Sequence, residues 1–219
     1  MKKIMVANPK GGSGKSTMAV HLASWFARND EIVYLGDIDR QQSCRYWLSQ
    51  RPADLPPIHS WEIKGDEPGN PPKDCTVAIL DTPAGLHGKP LKQLLNDFDR
   101  VVVPVSPSRF DMMASQSFFN ELAETKAVRK EKISVAIVGM RVDPRTVASK
   151  QLIEFLEWFE LPLITCIRSA QRYVSAVETG TTIFDAGTIP QNDHQHWKPL
   201  LDWAQGARRN HSNHVLTAE

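Results

Sequence analysis

The chain has 219 residues, of which 41% are apolar and 23% charged, and a formal net charge of +1. That length suits one α/β domain, and the balance is that of a globular protein, which excludes a long disordered region. Near-neutrality excludes a surface that is basic or acidic overall, so any site for a polyanion has to be a local patch.

The cysteines Cys44, Cys75 and Cys166 are isolated, without the close pairing of a zinc or redox motif, which points to a reduced, cytoplasmic setting. The opening MKKIMVANPKGG has two lysines but no long apolar region, so no signal peptide is expected. No apolar run reaches the ~20 residues of a membrane span, and stable membrane insertion is not expected.

In chain order, Lys3 to Ala7 reads as a strand, and Lys15 to Arg28 as a helix burying Met18, Leu22, Trp25 and Phe26. Glu31 to Leu35 is a second strand and Ser43 to Ser49 a short helix. The Pro- and Gly-rich stretch that follows is a surface excursion carrying one strand at Ile58 to Glu62. Apolar strands then recur at Cys75 to Leu80, Arg100 to Val105, Ile133 to Met140 and Leu163 to Cys166. Helical patterns at Pro90 to Asn96, Asp111 to Val128 and Val147 to Phe159 separate them. Uniformly apolar strands alternating with helices predict an α/β fold: a three-layer, doubly wound, mostly parallel sheet with its site at the carboxyl ends of the strands. Residues 1–206 are expected to form a single domain and 207–219 a polar tail.

Strand one runs into Asn8-Pro9-Lys10-Gly11-Gly12-Ser13-Gly14-Lys15-Ser16-Thr17 and then directly into a helix. Glycines let successive backbone N–H groups converge on phosphate oxygens, and the helix N-terminus adds partial positive charge. Gly11, Gly12, Ser13, Gly14, Lys15, Ser16 and Thr17 are therefore the expected phosphate cradle of a P-loop NTPase. Lys15 is placed for the β- and γ-phosphates and the Ser16 hydroxyl for Mg²⁺. The alternative is a Gly-rich turn without a ligand.

Strand two leads to Asp37 and Asp39, two residues apart and thus on one side of the chain beside the loop. The alternative is that one of them merely caps the next helix. In Val77-Ala78-Ile79-Leu80-Asp81, a buried strand ends in a carboxylate at a Walker-B-like distance from the loop, and Asp81 is expected to hold Mg²⁺ through water.

The loop departs from the common P-loop pattern, with Pro9 at its first glycine position and Lys10 next. The form KGGxGK[ST] resembles the deviant P-loop of the ParA/MinD family of ATPases. Asp37-Ile38-Asp39-Arg40-Gln41-Gln42-Ser43 is similar to that family's D-x-D-P-Q-x-S motif, with Arg40 replacing the proline. Thr82 to Gly88 resembles its γ-phosphate switch. Val103 to Asp111 resembles the proline loop of small ParA proteins, although a plain strand-to-helix connection with Asp111 as N-cap also fits. Arg168 to Tyr173, Ala176 and Gly180 to Phe184 match the C-terminal pattern of the same group, so the likeness runs from about Lys3 to Phe184.

The resemblance implies a slow ATP hydrolase using ATP and Mg²⁺. Lys10 would reach the nucleotide of the opposite subunit in an ATP sandwich homodimer, or else is an ordinary surface lysine. Asp39 would position or activate the attacking water, and Asp37 would support the Mg²⁺ shell or the loop. The resemblance also implies non-specific DNA binding on the nucleoid, positioning of a cargo such as a plasmid or a carboxysome, and activation by a ParB- or McdB-like partner on that cargo. With the first strand starting at once, the helix-turn-helix segment of larger ParA proteins is not expected.

Candidate DNA contacts are Arg141, Arg145, Lys150, Arg168 and Arg172, with Lys198, Arg208 and Arg209 further on. Glu154, Glu157 and Glu160 share that stretch, so a solvated mixed-charge surface is the competing reading. A MinD-like membrane ATPase is the runner-up, resting on Trp197, Leu200, Leu201 and Trp203. A cluster-bearing electron-transfer protein would need cysteine pairs that are not present. His194, His196, His211 and His214 are read as solvated groups of a polar tail, and the tryptophans as packing residues.

Overall fold

The computed structural model describes residues 1–63, 68–143, 145–159 and 161–206. Arg208, Arg209, His211, His214 and Glu160 fall outside the described residues. Seven strands alternate with helices: β1 (Lys2–Val6), α1 (Lys15–Ala27), β2 (Val33–Asp37), α2 (Ser43–Ser49), β3 (Ile58–Trp61), β4 (Val77–Asp81), α3 (Gly88–Leu95), β5 (Arg100–Val105), α4 (Arg109–Glu124), α5 (Lys126–Arg129), β6 (Ser134–Met140), α6 (Val147–Glu157), β7 (Leu163–Ile167), α7 (Gln171–Glu178) and α8 (Gln191–Gln205).

The strands form one sheet in the order β3-β2-β4-β1-β5-β6-β7. Every ladder is parallel. Alternation along the strands sends Ile4, Val6, Val77 and Ile79 into a core under α1, α2, α7 and α8. Met5, Ala7, Ala78 and Leu80 go into a second core under α3, α4 and α6. Both faces are thus covered, which is why the strands lack a polar face. β1 lies between β4 and β5, and the crevice where their connections diverge is where the phosphate loop emerges.

Several boundaries differ from the expectation. β2 begins at Val33, because Ile32 N–H donates to Thr76 Oγ1 at 2.8 Å instead of entering the ladder. Asp111 is not a helix cap. α4 starts at Arg109, and Ser108, in extended conformation with φ −125°, takes the N-cap position. The expected run to Val128 breaks at Thr125 (ψ 128°), whose hydroxyl donates to Glu121 O at 2.7 Å and competes with the helix.

The largest correction is at the carboxyl end. Residues 191–205 form α8, which places His194 and His196 on a helix instead of in a polar tail. Trp197, Leu200, Leu201 and Ala204 follow the i, i+3, i+4, i+7 spacing, and all four are buried against the sheet.

Candidate functional site: a phosphate loop over a buried carboxylate

The loop leaves β1 and is anchored before it turns. Asn8, itself buried, donates its side-chain amide to Pro104 O at 2.8 Å and accepts Lys10 N–H on its Oδ1 at 2.8 Å. Gly85 N–H donates to Pro9 O at 2.8 Å, and Thr82 Oγ1 donates to Val6 O at 3.0 Å. The segment after β4 is thereby tied to the base of the loop.

Gly14, at the mouth of α1, has φ 97°, a left-handed value that a side chain resists. A Cβ there would stand 3.1 Å from Met140 Cε, the movable end of a side chain, so it is the backbone conformation that calls for glycine. Gly11 and Gly12 face open space, with nothing within 4 Å of a notional Cβ, as a cradle for a ligand demands.

Lys15 opens α1 and is only 7% exposed. Its ammonium donates back to Lys10 O at 3.0 Å, curling over the loop. Burial lowers its pKa, while the carboxylates of Asp81 and Asp39 hold it up. The next residue, Ser16, donates its hydroxyl to Asp81 Oδ2 at 2.6 Å. Asp81 is 0% exposed, and burial pushes its carboxyl up to about 6; the Ser16 hydrogen bond pulls it back and Asp37 adds repulsion. Its second oxygen, Oδ1, is buried and has no hydrogen-bond partner among the described residues. Leaving such an acceptor unpaired is costly unless something binds it. A hydroxyl and an unsatisfied carboxylate below a phosphate cradle are hard oxygen donors that suit Mg²⁺, which keeps part of its water.

The carboxylates after β2 have different surroundings. Asp37 accepts Asp39 N–H on Oδ1 at 2.9 Å and Cys44 N–H on Oδ2 at 2.9 Å, so it fastens the turn into α2. Its pKa is raised, first by burial, with those N–H groups opposing. Asp39 is half-buried and accepts Gln41 N–H at 2.9 Å, which leaves its other oxygen available. Register places Asp37 opposite Asp81 across the β2–β4 ladder. The sequence did not single out Cys44 as part of the site: its Sγ lies 3.3 Å from Asp81 Oδ2, and Asp37, Cys44 and Asp81 offer ligand atoms within 4.8 Å of one another.

The residues expected to contact DNA have different local partners. Arg141 lies over the phosphate loop, donating from Nη2 to Gly12 O and to Ser106 Oγ, each at 2.6 Å. Arg145 is paired with Asp143 at 2.7 Å, and Lys150 is exposed on α6. Arg168 donates from Nε to Asp193 Oδ1 at 3.3 Å. Arg172 Nε lies 2.7 Å from Asp193 Oδ2; its N–H is not aimed at the oxygen, so this is a contact of charges. Asp193 is fully buried on α8 and also accepts Tyr173 O–H at 2.9 Å. Sequence reasoning missed Asp193 because it missed α8; the signal was the apolar spacing around Trp197. Lys198 is paired with Asp202 at 2.6 Å.

Residues 4–183 match the model of the CobQ/CobB/MinD/ParA nucleotide binding domain. The chain is 27% identical over 192 residues to maintenance of carboxysome distribution protein A of Halothiobacillus neapolitanus, covering 84% of this chain and 87% of that protein. Among solved structures it is similar to a putative plasmid partition protein of Borrelia burgdorferi B31 bound to AMPPNP, with TM-score 0.68, 19% identity, and coverage of 92% of this chain and 97% of that one. The MinD cell division protein of Aquifex aeolicus gives TM-score 0.71 at 13% identity, covering 97% of this chain and 100% of that one.

Proposed function

We propose that this chain, which belongs to the CobQ/CobB/MinD/ParA nucleotide-binding domain family, is an ATP hydrolase of the ParA type that positions or segregates a cargo. The single observation that carries the ATPase reading is the stack of Lys15, Ser16 and Asp81 beneath the loop, with the buried Asp81 Oδ1 left unsatisfied. The relative's role in carboxysome distribution and the neighbour's description as a plasmid partition protein favour a cargo function.

In the proposed reaction, the backbone N–H groups of residues 11–17 and the N-terminus of α1 hold the ATP phosphates. Mg²⁺, held by the Ser16 hydroxyl and by Asp81 through water, would neutralise charge on the phosphate oxygens. Lys15 stabilises the charge on the β- and γ-phosphates. Asp39 orients a water whose oxygen attacks the γ-phosphorus; the bond to the ADP oxygen breaks, leaving ADP and phosphate. Lys10 serves the nucleotide of a second copy, so that ATP joins two chains. Two copies double the cationic contacts, through which a nearly neutral chain acquires salt-dependent affinity for DNA. A partner protein on the cargo then stimulates hydrolysis and releases the dimer, in a cytoplasmic, nucleoid-associated cycle.

A membrane-associated MinD-like function is less favoured. Of the apolar set such a reading needs, Trp197, Leu200 and Leu201 are 1%, 0% and 4% exposed and belong to the core, and Trp203 is half-buried against it. No described helix is long and apolar enough to cross a membrane.

The test is binding to random-sequence duplex DNA with ATP, with ADP and without nucleotide, at two salt concentrations. Binding with ATP alone, weakening with salt and lost together with ATP-dependent dimerisation in Lys10→Ala, supports the proposal. ATP binding by the wild type without any DNA binding sinks the DNA-matrix cycle and leaves the ATPase reading standing.

A further inference from the structure

Arg141 follows β6 directly and has φ 57°, a left-handed conformation on a residue with a full side chain. A large side chain persists there only where its surroundings hold it. The guanidinium supplies the holding contacts. A single nitrogen, Nη2, donates to Gly12 O in the phosphate loop and to Ser106 Oγ at the end of β5, each at 2.6 Å. Ser106 is 4% exposed, so one end of this bridge is buried. The residue before, Met140, closes against Gly14.

We propose that Arg141 is a positioning residue for nucleotide binding: it fixes the Gly12–Ser13 peptide of the phosphate loop from outside. This rests on the ATP-binding reading above. In a trans peptide the carbonyl and the following N–H point opposite ways. Drawing the Gly12 carbonyl toward Arg141 therefore turns the Ser13 N–H toward the interior of the loop, where the phosphate oxygens sit. A glycine-rich loop has many backbone states, and a donor held in place before the ligand arrives does not have to be ordered on binding. Ser106 keeps the guanidinium from swinging into solvent. It also links the phosphate loop to residues 106–108, the connection into α4. The arginine expected to bind DNA thus serves the nucleotide.

The experiment is a titration of fluorescent ATP and ADP into the wild type and into Arg141→Ala, Arg141→Gly and Ser106→Ala, with a melting curve and a duplex-DNA binding curve for each. Charge-assisted hydrogen bonds of this kind predict about a tenfold or greater loss of nucleotide affinity in both Arg141 variants and a smaller loss in Ser106→Ala. Arg141→Gly is the discriminating variant. Glycine adopts the left-handed conformation freely, so its melting temperature is expected to match or exceed the wild type while its affinity falls. Wild-type nucleotide affinity in Arg141→Ala overturns the inference, and so does an affinity loss in Arg141→Gly that only tracks a loss of melting temperature. Lost DNA binding with unchanged ATP affinity overturns it in favour of a DNA contact. A wild type that binds no ATP overturns the ATPase reading itself, a result separate from the other three.

Discussion

Ser16 and Asp81, 65 residues apart in sequence, share a hydrogen bond of 2.6 Å that joins the first turn of α1 to the end of β4. It ties the start of α1 to the sheet, and one oxygen of the same carboxylate is buried without a hydrogen-bond partner among the described residues. Burying an acceptor without a partner is costly, and the Mg²⁺ proposed above would relieve that cost.

Asp81→Asn removes that buried charge. The expected outcome is a nucleotide-free protein at least as stable as the wild type at pH 7.5, because the carboxylate held up at about 6 is no longer ionised in an apolar site. In the wild type, ATP with Mg²⁺ at about 100 times its dissociation constant should add about 3 kcal/mol, or roughly 5–10 °C in melting temperature. In the variant, melting curves with Mg²⁺ and with chelator should converge. A variant that keeps the full Mg²⁺-dependent gain would remove Asp81 from the metal site.

His21 predicts a pH effect on stability. Its Nδ1–H donates to Thr17 O at 2.8 Å, its ring stacks on Trp197 at 5.1 Å, and Nε2 is buried without a partner among the described residues. Burial lowers its pKa to about 4 from an ordinary value of 6.5, with the Thr17 carbonyl and Asp185 opposing. Between those values the unfolded chain takes up a proton that the folded chain refuses, so this contribution is full above about 6.5 and is lost as pH falls toward 4. The difference between wild type and His21→Phe in denaturant unfolding should therefore move against the wild type by on the order of 3 kcal/mol across that window. A difference that stays constant with pH would refute the assignment. Asp81 has the opposite sign: its raised pKa contributes stability at low pH that is lost as pH rises through about 6, so the single-variant comparison is needed to isolate His21.

Gly180 precedes the segment that docks onto α2. It has φ 69°, and a Cβ would fall 2.3 Å from the carbonyl carbon and oxygen of Gln50. Backbone cannot move aside as the end of a side chain can. Gly180→Ala is expected to cost roughly 2–4 kcal/mol, or about 10 °C in melting temperature, by combining left-handed strain with overpacking. A melting temperature within 2 °C or so of wild type would mean that the segment moves freely from α2.

Much of the site was legible because its chemistry lies in contiguous residues. The glycines, Lys15 and Ser16 form one run, and the apolar strand from Val77 ends at the candidate site carboxylate Asp81. The alternation of strands and helices likewise set a parallel sheet with its site at the carboxyl ends, since only that arrangement buries strands apolar on both faces. The strand order placed β1 beside β4 and β5, as a doubly wound sheet requires.

What the sequence by itself determined, then, was the class of fold, the phosphate loop and the carboxylate below it, because periodicity and local spacing are properties of neighbouring residues. The tertiary structure alone decided where individual charges are spent. Arg141 is drawn to Gly12 and Ser106, Arg168 and Arg172 to the buried Asp193, and Asp37 to the N–H groups leading into α2. A cation's partner is whichever unsatisfied oxygen the fold brings within reach, and here Arg141 lies 129 residues from Gly12. No local pattern encodes such a pairing; it follows from which strands are neighbours in the sheet and from the need to leave few buried polar groups unpaired.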